Sequence, residues 1–282
     1  MSANIDLHMH TSASDGTDSP LALLRKIEEQ EIRVFSVTDH DTIDGALALE
    51  SRIPQGVRYI RGIEFSCVSP CGKCHILGYG WDPADPVFLE ALETGRQLRQ
   101  DKLSRRITFL EEQFGIVLTE EELQWLATQN APGKPHLGRI LMKRGLAKDL
   151  TPAIQQYINP CKGGADRIPA DLAIRAIDHA GGIPVWAHPL GGEGERRLTG
   201  AEFEAQLREL MSSGIRGLEC FYSRYDDADI RFLVQTAQEN SLLVSGGSDY
   251  HGANKADIQP GKLNKANQPV DAECLTVLRA LQ

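Results

Sequence analysis

No apolar run in this 282-residue sequence approaches the roughly 20 residues that a membrane span needs. The opening "MSANIDLHMH" has neither the basic start nor the apolar stretch of a signal peptide, so a cytoplasmic protein with no membrane contact is expected. Cysteine is sparse. Cys67, Cys71, Cys74, Cys161, Cys220 and Cys274 are scattered along the chain, which excludes a disulfide framework and implies reduced thiols. An excess of positive charge is lacking too. The net charge of −9 argues against a general nucleic-acid coat, because non-specific binding to phosphates depends on clustered Lys and Arg. A small anionic ligand stays open, since bound divalent cations are often the largest charges in a site. Internal repeats and low-complexity segments are absent.

What is present describes an ordinary globular chain. With 41% hydrophobic and 24% charged residues, it is long enough for one large core plus an elaboration. Strand patterns fall at "NIDLHMH", "RVFSVTDH", "VRYIRGIEFSCV", "CHILGYG", "GIPVWAHP", "RGLECFY" and "LLVSGGSDYH". Helical patterns follow most of them. "PLALLRKIEEQE" has Ser19 as cap and Pro20 at the first helical position; "DLAIRAIDHAGG" and "AEFEAQLRELMSSG" close with glycine, and "DADIRFLVQTAQEN" with Asn240. This alternation implies an α/β fold with a mostly parallel sheet, open or closed into a barrel. Residues 86–165 break it, reading as consecutive helices with no strand between them. The expected organisation is one domain from 1–85 and 166–282, with a helical insertion at 86–165 that serves as a lid or specificity element.

Chemistry-bearing residues gather where strands end. "DLHMH" places His8 and His10 on one strand face, because side chains alternate with period two, and Asp15 follows in the turn. "SVTDHD" ends with Asp39 and His40, "GIEFS" with Glu64, "VWAHP" with His188, and "GGSDYH" supplies Asp249 and His251. His75 opens the apolar strand "HILGYG". Sites of α/β sheets and barrels form at the carboxyl ends of strands, so these distant residues are expected to converge. Any one histidine alone reads as an ordinary packed or surface residue; the joint pattern points to metal ligation. His136, in the insertion, and His179, in a helix, are left out of the site. Cys71 and Cys74 read as a turn between two strands, since a structural zinc wants a second ligand pair.

The ordered series "DLHMHTSASDG", "TDHD", "GIEFS", "HILGYG", "AHP" and "SDYH" resembles the motifs of the PHP family, the polymerase and histidinol phosphatase superfamily of metal-dependent phosphoesterases. The resemblance runs along nearly the whole chain outside the insertion. It implies a distorted (β/α)7 barrel and a trinuclear centre whose nine ligand positions fall on His8, His10, Asp15, His40, Glu64, His75, His188, Asp249 and His251. One ion would take His8, His10, Glu64 and Asp249, a second Asp15, His40 and His251, and a third Glu64, His75 and His188. Nine such groups exceed the needs of one four- to six-coordinate ion and suit three divalent ions bridged by Glu64. Manganese is the expected metal, with zinc and iron as alternatives. Clustered divalent ions lower the pKa of bound water and neutralise phosphoryl charge, so in-line attack by a metal-bridging hydroxide is the expected chemistry. No "GxSxG" elbow competes with it. Asp39 or His251 is the candidate for protonating the leaving oxygen, with Asp39 alternatively orienting a ligand histidine.

Substrate choice falls to the insertion and the loops. In "GRQLRQDKLSRRI", Arg99, Lys102 and Arg106 share one helix face, and "GKPHLGR" places Lys134 just before a helix whose free N–H groups favour anions. The alternative for the basic face is simple solvation. Arg197 in "GEGERRL" and Tyr222 and Arg224 in "CFYSRYD" follow strand ends; the arginines could clamp a phosphate and the tyrosine stack on a base. A helical insertion after "HILGYG" with "GKPHLGR" inside it resembles the family's nucleoside 3′,5′-bisphosphate phosphatases, some of whose relatives trim short RNA from the 5′ end. That resemblance implies a small nucleotide substrate, with short RNA as a second possibility and no stable protein partner. Three rival readings are a histidinol-phosphate or similar phosphomonoester phosphatase, which the insertion disfavours; an amidohydrolase, for which no bridging lysine is found; and a non-catalytic regulatory module, which predicts lost ligands.

Overall fold

The computed structural model describes residues 4–129, 131–192 and 196–281. It is a mixed α/β fold around a central sheet. The strands are β1 (Asn4–Asp6), β2 (Ile32–Val37), β3 (Arg58–Ser69), β4 (Gly72–Tyr79), β5 (Ile168–Pro169), β6 (Ile183–Trp186), β7 (Gly217–Tyr222) and β8 (Leu243–Gly247). Their order is β1-β2-β3-β4-β6-β7-β8, with β5 beside β3. Neighbours are parallel except around β4, which runs against both β3 and β6. The two ends of that order also meet. Leu7 N donates to Gly246 O (3.2 Å), Asp249 N to His8 O (2.8 Å) and His10 N to Tyr250 O (2.9 Å).

Local chemistry explains the helices. Ser19 Oγ accepts from Ala22 N at the start of Pro20–Glu29, and Asp226 caps Asp227–Glu239 through Ala228 N and Asp229 N. Capping boxes start Glu120–Ala127 (Thr119 and Glu122) and Gly200–Ser212 (Thr199 and Glu202). Asn240 does cap Asp227–Glu239, at φ −102°, and the left-handed residue comes one position later, at Ser241 with φ 55°.

Between β4 and β5 the described chain is helical: Pro86–Phe114, Glu120–Ala127, Lys134–Lys143, Leu150–Ala153 and the π-turn Ile154–Ile158. Two apolar clusters divide the molecule at this point. Phe88, Ala91 and Leu92, at the start of Pro86–Phe114, pack into the main core with Phe65, Tyr79 and Trp81. Leu110, near its other end, packs instead with Ile116, Leu118, Leu126, Leu137, Ile140, Leu141, Ala153 and Ile158. A helix of 29 residues, about 1.5 Å per residue, spans both clusters and ties the helices that follow it to the main core.

Two features differ from the sequence expectation. Glu64 does not end a strand: β3 runs on to Ser69 because it keeps pairing with β4 and β5 after its pairing with β2 stops at Arg61. β5, with two residues, carries too little pattern to be read from sequence. Among the described residues no helix is long and apolar enough to cross a membrane, and all six cysteines are free.

Candidate metal centre

β1 ends at Asp6, but the chain stays extended through His10, its backbone bonded to the end of β8 and, through Thr38 N and Met9 O (2.9 Å), to the end of β2. Leu7 and Met9 enter apolar clusters, and alternation turns His8 and His10 the other way. Asp41, His188 and Asp249 adopt positive φ (51°, 31° and 58°) just past strand ends. Such backbone is uncommon for non-glycine residues and gathers at functional sites.

These side chains meet around Glu64. Its Oε1 lies 2.8 Å from His75 Nδ1 and 3.2 Å from His188 Nε2; its Oε2 lies 3.0, 3.2 and 3.4 Å from His40 Nδ1, His10 Nε2 and His8 Nε2. Asp249 Oδ1 faces His10 and His8 at 3.4 and 3.6 Å, and His251 Nε2 lies 3.2 Å from Asp15 Oδ1. Three overlapping groups could each hold an ion: His10, Asp15, His40 and His251; His8, His10 and Asp249; His40, Glu64 and His75. This grouping departs from the implied one in three places: His10 also stands with Asp15, Glu64 is not grouped with His8, His10 and Asp249, and His40 takes the place of His188 beside Glu64 and His75.

The residues fit a cation. His10 Nδ1, Asp15 Oδ1, His40 Nδ1 and Glu64 Oε2 are buried polar atoms that make no hydrogen bond among the described residues. Buried polar atoms are rarely left so, and here they converge. Charge agrees. Burial alone would raise the carboxyls, but His40, His75 and His8 hold Glu64 well below the usual range, and His251 and His40 do the same for Asp15. Lys255 and His251 likewise outweigh burial at Asp249. At His8 burial opposes protonation, yet Glu219, Glu64 and Asp249 hold its pKa well above the ordinary value, so the centre favours positive charge at that point.

Several supporting residues carry no motif. Glu219, fully buried in β7, accepts from His8 Nδ1 (2.8 Å) and from His188 N (2.8 Å). That leaves His8 Nε2 facing Glu64, the orientation a ligand imidazole needs. Its only sequence signal is an acid inside the apolar run "GLECFY". Asp6 accepts from His8 N, Ser248 N and Gly261 N, and burial pushes its carboxyl up to about 6 against those donors. His251 Nδ1 pairs with Asp249 O (2.9 Å), turning Nε2 toward Asp15.

A cavity of about 380 Å³ joins this cluster to the inserted helices. Asp15, His40, Glu64, His75, His188, Asp249 and His251 line it, together with Arg99, Lys102, Arg106, Lys134 and Arg167. Burial, with Arg167 and Arg106 nearby, lowers Lys102 to about 7 although Asp166 lies 2.8 Å away; burial and Arg106 lower Lys134 to about 8. Arg106, nearly buried, makes no hydrogen bond or ion pair among the described residues, and burial with Arg99 beside it lowers its guanidinium to about 10. Arg99 bonds Asp41 Oδ2 (2.5 and 2.9 Å). Lys255 also lines the cavity, its ammonium paired with Asp249 Oδ2.

Four sequence candidates sit elsewhere. Asp39 is buried and off the cavity; its carboxylate accepts from Thr11 N, Thr11 Oγ1 and Ser14 Oγ (2.6–2.7 Å), so it holds the turn leading to Asp15 and has no path to a leaving oxygen. Tyr222 is fully buried, its hydroxyl 3.0 Å from Asp249 Oδ2 and its ring against His188, so no face is open for a base. Arg197 pairs with Asp229 and Arg224 with Asp257, and neither lines the cavity.

No family profile matches the chain. It is 28% identical over 253 residues to the 3′,5′-nucleoside bisphosphate phosphatase of Chromobacterium violaceum, covering 88% of this chain and 87% of that one. It is 30% identical over 258 residues to the 5′-3′ exoribonuclease Rnm of Escherichia coli, covering 87% and 84%. A solved structure from Bifidobacterium adolescentis described as a metal-dependent phosphoesterase superposes with a TM-score of 0.81 at 24% identity, over 99% of this chain and 96% of that one. With the ordered motifs gathered around Glu64, this similarity shows that the chain belongs to the PHP family of metal-dependent phosphoesterases, alongside nucleoside bisphosphate phosphatases and 5′-3′ exoribonucleases.

Proposed function

We propose that the protein removes the 3′-phosphate from nucleoside 3′,5′-bisphosphates, converting adenosine 3′,5′-bisphosphate to AMP. One observation carries this reading: a single cavity is lined both by the Glu64-centred cluster and by five cationic side chains. A bisphosphate needs both, one for the phosphate that is cleaved and one for the phosphate that is kept. The phosphatase named for C. violaceum supports the same substrate. The exoribonuclease relatives support a second use of the cationic wall, anchoring the 5′-phosphate of a short RNA.

His8, His10, Asp15, His40, Glu64, His75, His188, Asp249 and His251 would hold three divalent ions, manganese being the first metal to test. When bound, such ions supply a water acidic enough to act as nucleophile near neutral pH and neutralise phosphoryl oxygens. The chain's own residues do the rest. Glu219 and the carbonyl of Asp249 orient the His8 and His251 rings. Lys255, which lines the cavity with its ammonium paired to Asp249 Oδ2, can take up charge that develops on the ester. Arg106, with no partner of its own among the described residues, and Lys102 and Lys134 beside it anchor the second phosphate. The inserted helices 86–165 form the specificity wall over a domain from 1–85 and 166–282. The hydrogen bonds between the two ends of the strand order support a distorted barrel for that domain, and a cytoplasmic location fits a nucleotide substrate.

The test is phosphate release, with added Mn2+, from adenosine 3′,5′-bisphosphate, histidinol phosphate and a short 5′-phosphorylated RNA. Release from the bisphosphate, lost by at least about a hundredfold in His10→Ala, is expected. Cleavage of histidinol phosphate alone would remove the substrate assignment. Full activity of His10→Ala on every compound would remove the metal centre.

A further inference from the structure

The helix Lys134–Lys143 reaches the sheet side of the cavity through one side chain. Arg139 Nη2 donates to Asn254 Oδ1 (3.0 Å), and Asn254 Nδ2 donates to the backbone carbonyl of Asp15 (2.5 Å). Among the described residues no other side-chain hydrogen bond joins that helix to residues outside the insertion. Asn254 lies in the short turn Gly252–Lys255 directly after His251. This turn is laced to the Asp15 loop at two further points: Thr17 N donates to His251 O (3.2 Å), and Ala253 N donates to Thr17 Oγ1 (2.8 Å). Asp15 and His251, whose side chains face each other at 3.2 Å, therefore sit on two loops tied into one unit. Arg139 pins that unit to the insertion.

We propose that Arg139 and Asn254 form a positioning strut, through which docking of the insertion sets Asp15 for the ion position shared by Asp15, His40 and His251. The inference rests on reading the cluster as a metal centre. Neither residue bonds to His8, His75 or Glu64, so the strut acts on one position of the three. The inserted helices thus complete a metal position as well as one wall of the cavity, coupling the specificity element to the ion set.

Binding of Mn2+ alone, followed by the EPR signal of the free ion in the absence of substrate, tests this on the full chain. Asn254→Asp keeps an oxygen for Arg139 but removes the N–H that holds the Asp15 carbonyl; Arg139→Met leaves Asn254 in place and removes its anchor. In both variants one class of Mn2+ sites should weaken by about 10–100-fold while the others keep their affinity, with Arg139→Lys recovering part of the loss. Identical binding in all proteins, or equal weakening of every class, would overturn the strut. Absence of Mn2+ binding by the unsubstituted protein would remove the metal-centre reading itself, and the strut with it.

Discussion

At the scale of single residues, the candidate ligands were legible because metal ligation asks for particular side chains, and histidines beside carboxylates at strand ends stand out in a sequence. What surrounds them was not. Glu219 offers only an acid in an apolar strand, yet it orients His8 and holds His188 N. Glu219→Gln keeps the size but weakens the acceptor, and should lower Mn2+ affinity and kcat/KM by about 10–100-fold; calorimetry and phosphate release measure both. Lys102 carries a pH prediction. Burial, helped by Arg167 and Arg106, lowers its pKa to about 7, so the empty cavity loses this positive charge as pH rises through 7. A bound phosphate favours the charged form and raises that pKa. Substrate affinity should therefore fall above pH 7, by at most about tenfold per pH unit, while phosphate itself, with a second pKa of about 6, no longer changes charge. KM measured from pH 7 to 9 should show this slope in the unsubstituted protein, and Lys102→Met should flatten it up to about pH 8, above which the loss of charge on Lys134 still raises KM.

At the scale of elements, helices with caps were readable, and their starts at Pro20, Pro86, Glu120, Gly200 and Asp227 follow from Ser, Thr or Asp just before them. Pairing was harder. That β4 runs antiparallel to both neighbours, and that β3 outlasts β2 so that Glu64 lies in mid-strand, depend on which strands meet, which no local pattern carries. Contact between the end of β8 and the extended His8 segment adds a constraint at Gly247, where a Cβ would stand 2.1 Å from His8 Cβ and 2.5 Å from His8 N. One or other backbone would have to move. Gly247→Ala should cost about 1–3 kcal/mol in urea unfolding and weaken Mn2+ binding, because the displaced residue is a candidate ligand; unchanged values for both would show that the two segments separate easily.

At the scale of the whole molecule, nine candidate ligands from the β1, β2, β3, β4, β6 and β8 regions converge, so ions bound there would link distant parts of the chain. A ligand that binds only the folded state stabilises it by about 2.7 kcal/mol at a hundredfold excess over its Kd. Chelation by EDTA should lower the thermal midpoint, readdition of Mn2+ should restore it, and His10→Ala should respond less to both. A midpoint indifferent to chelation would mean that the cluster carries no ion tight enough to matter for folding.

The sequence by itself determined the α/β alternation, the run of helices between β4 and β5 and the residue types that gather around Glu64, since each depends on local periodicity or on side-chain chemistry. Tertiary structure alone decided which side chains share a wall. It placed Arg99, Lys102 and Lys134 in one cavity with Glu64. It sent Arg197 and Arg224 to surface partners and buried Tyr222 beneath Asp249. The physical reason is that charged and aromatic side chains look alike in sequence wherever they fall, and only the packing of strands and inserted helices determines whether one faces substrate, solvent or core.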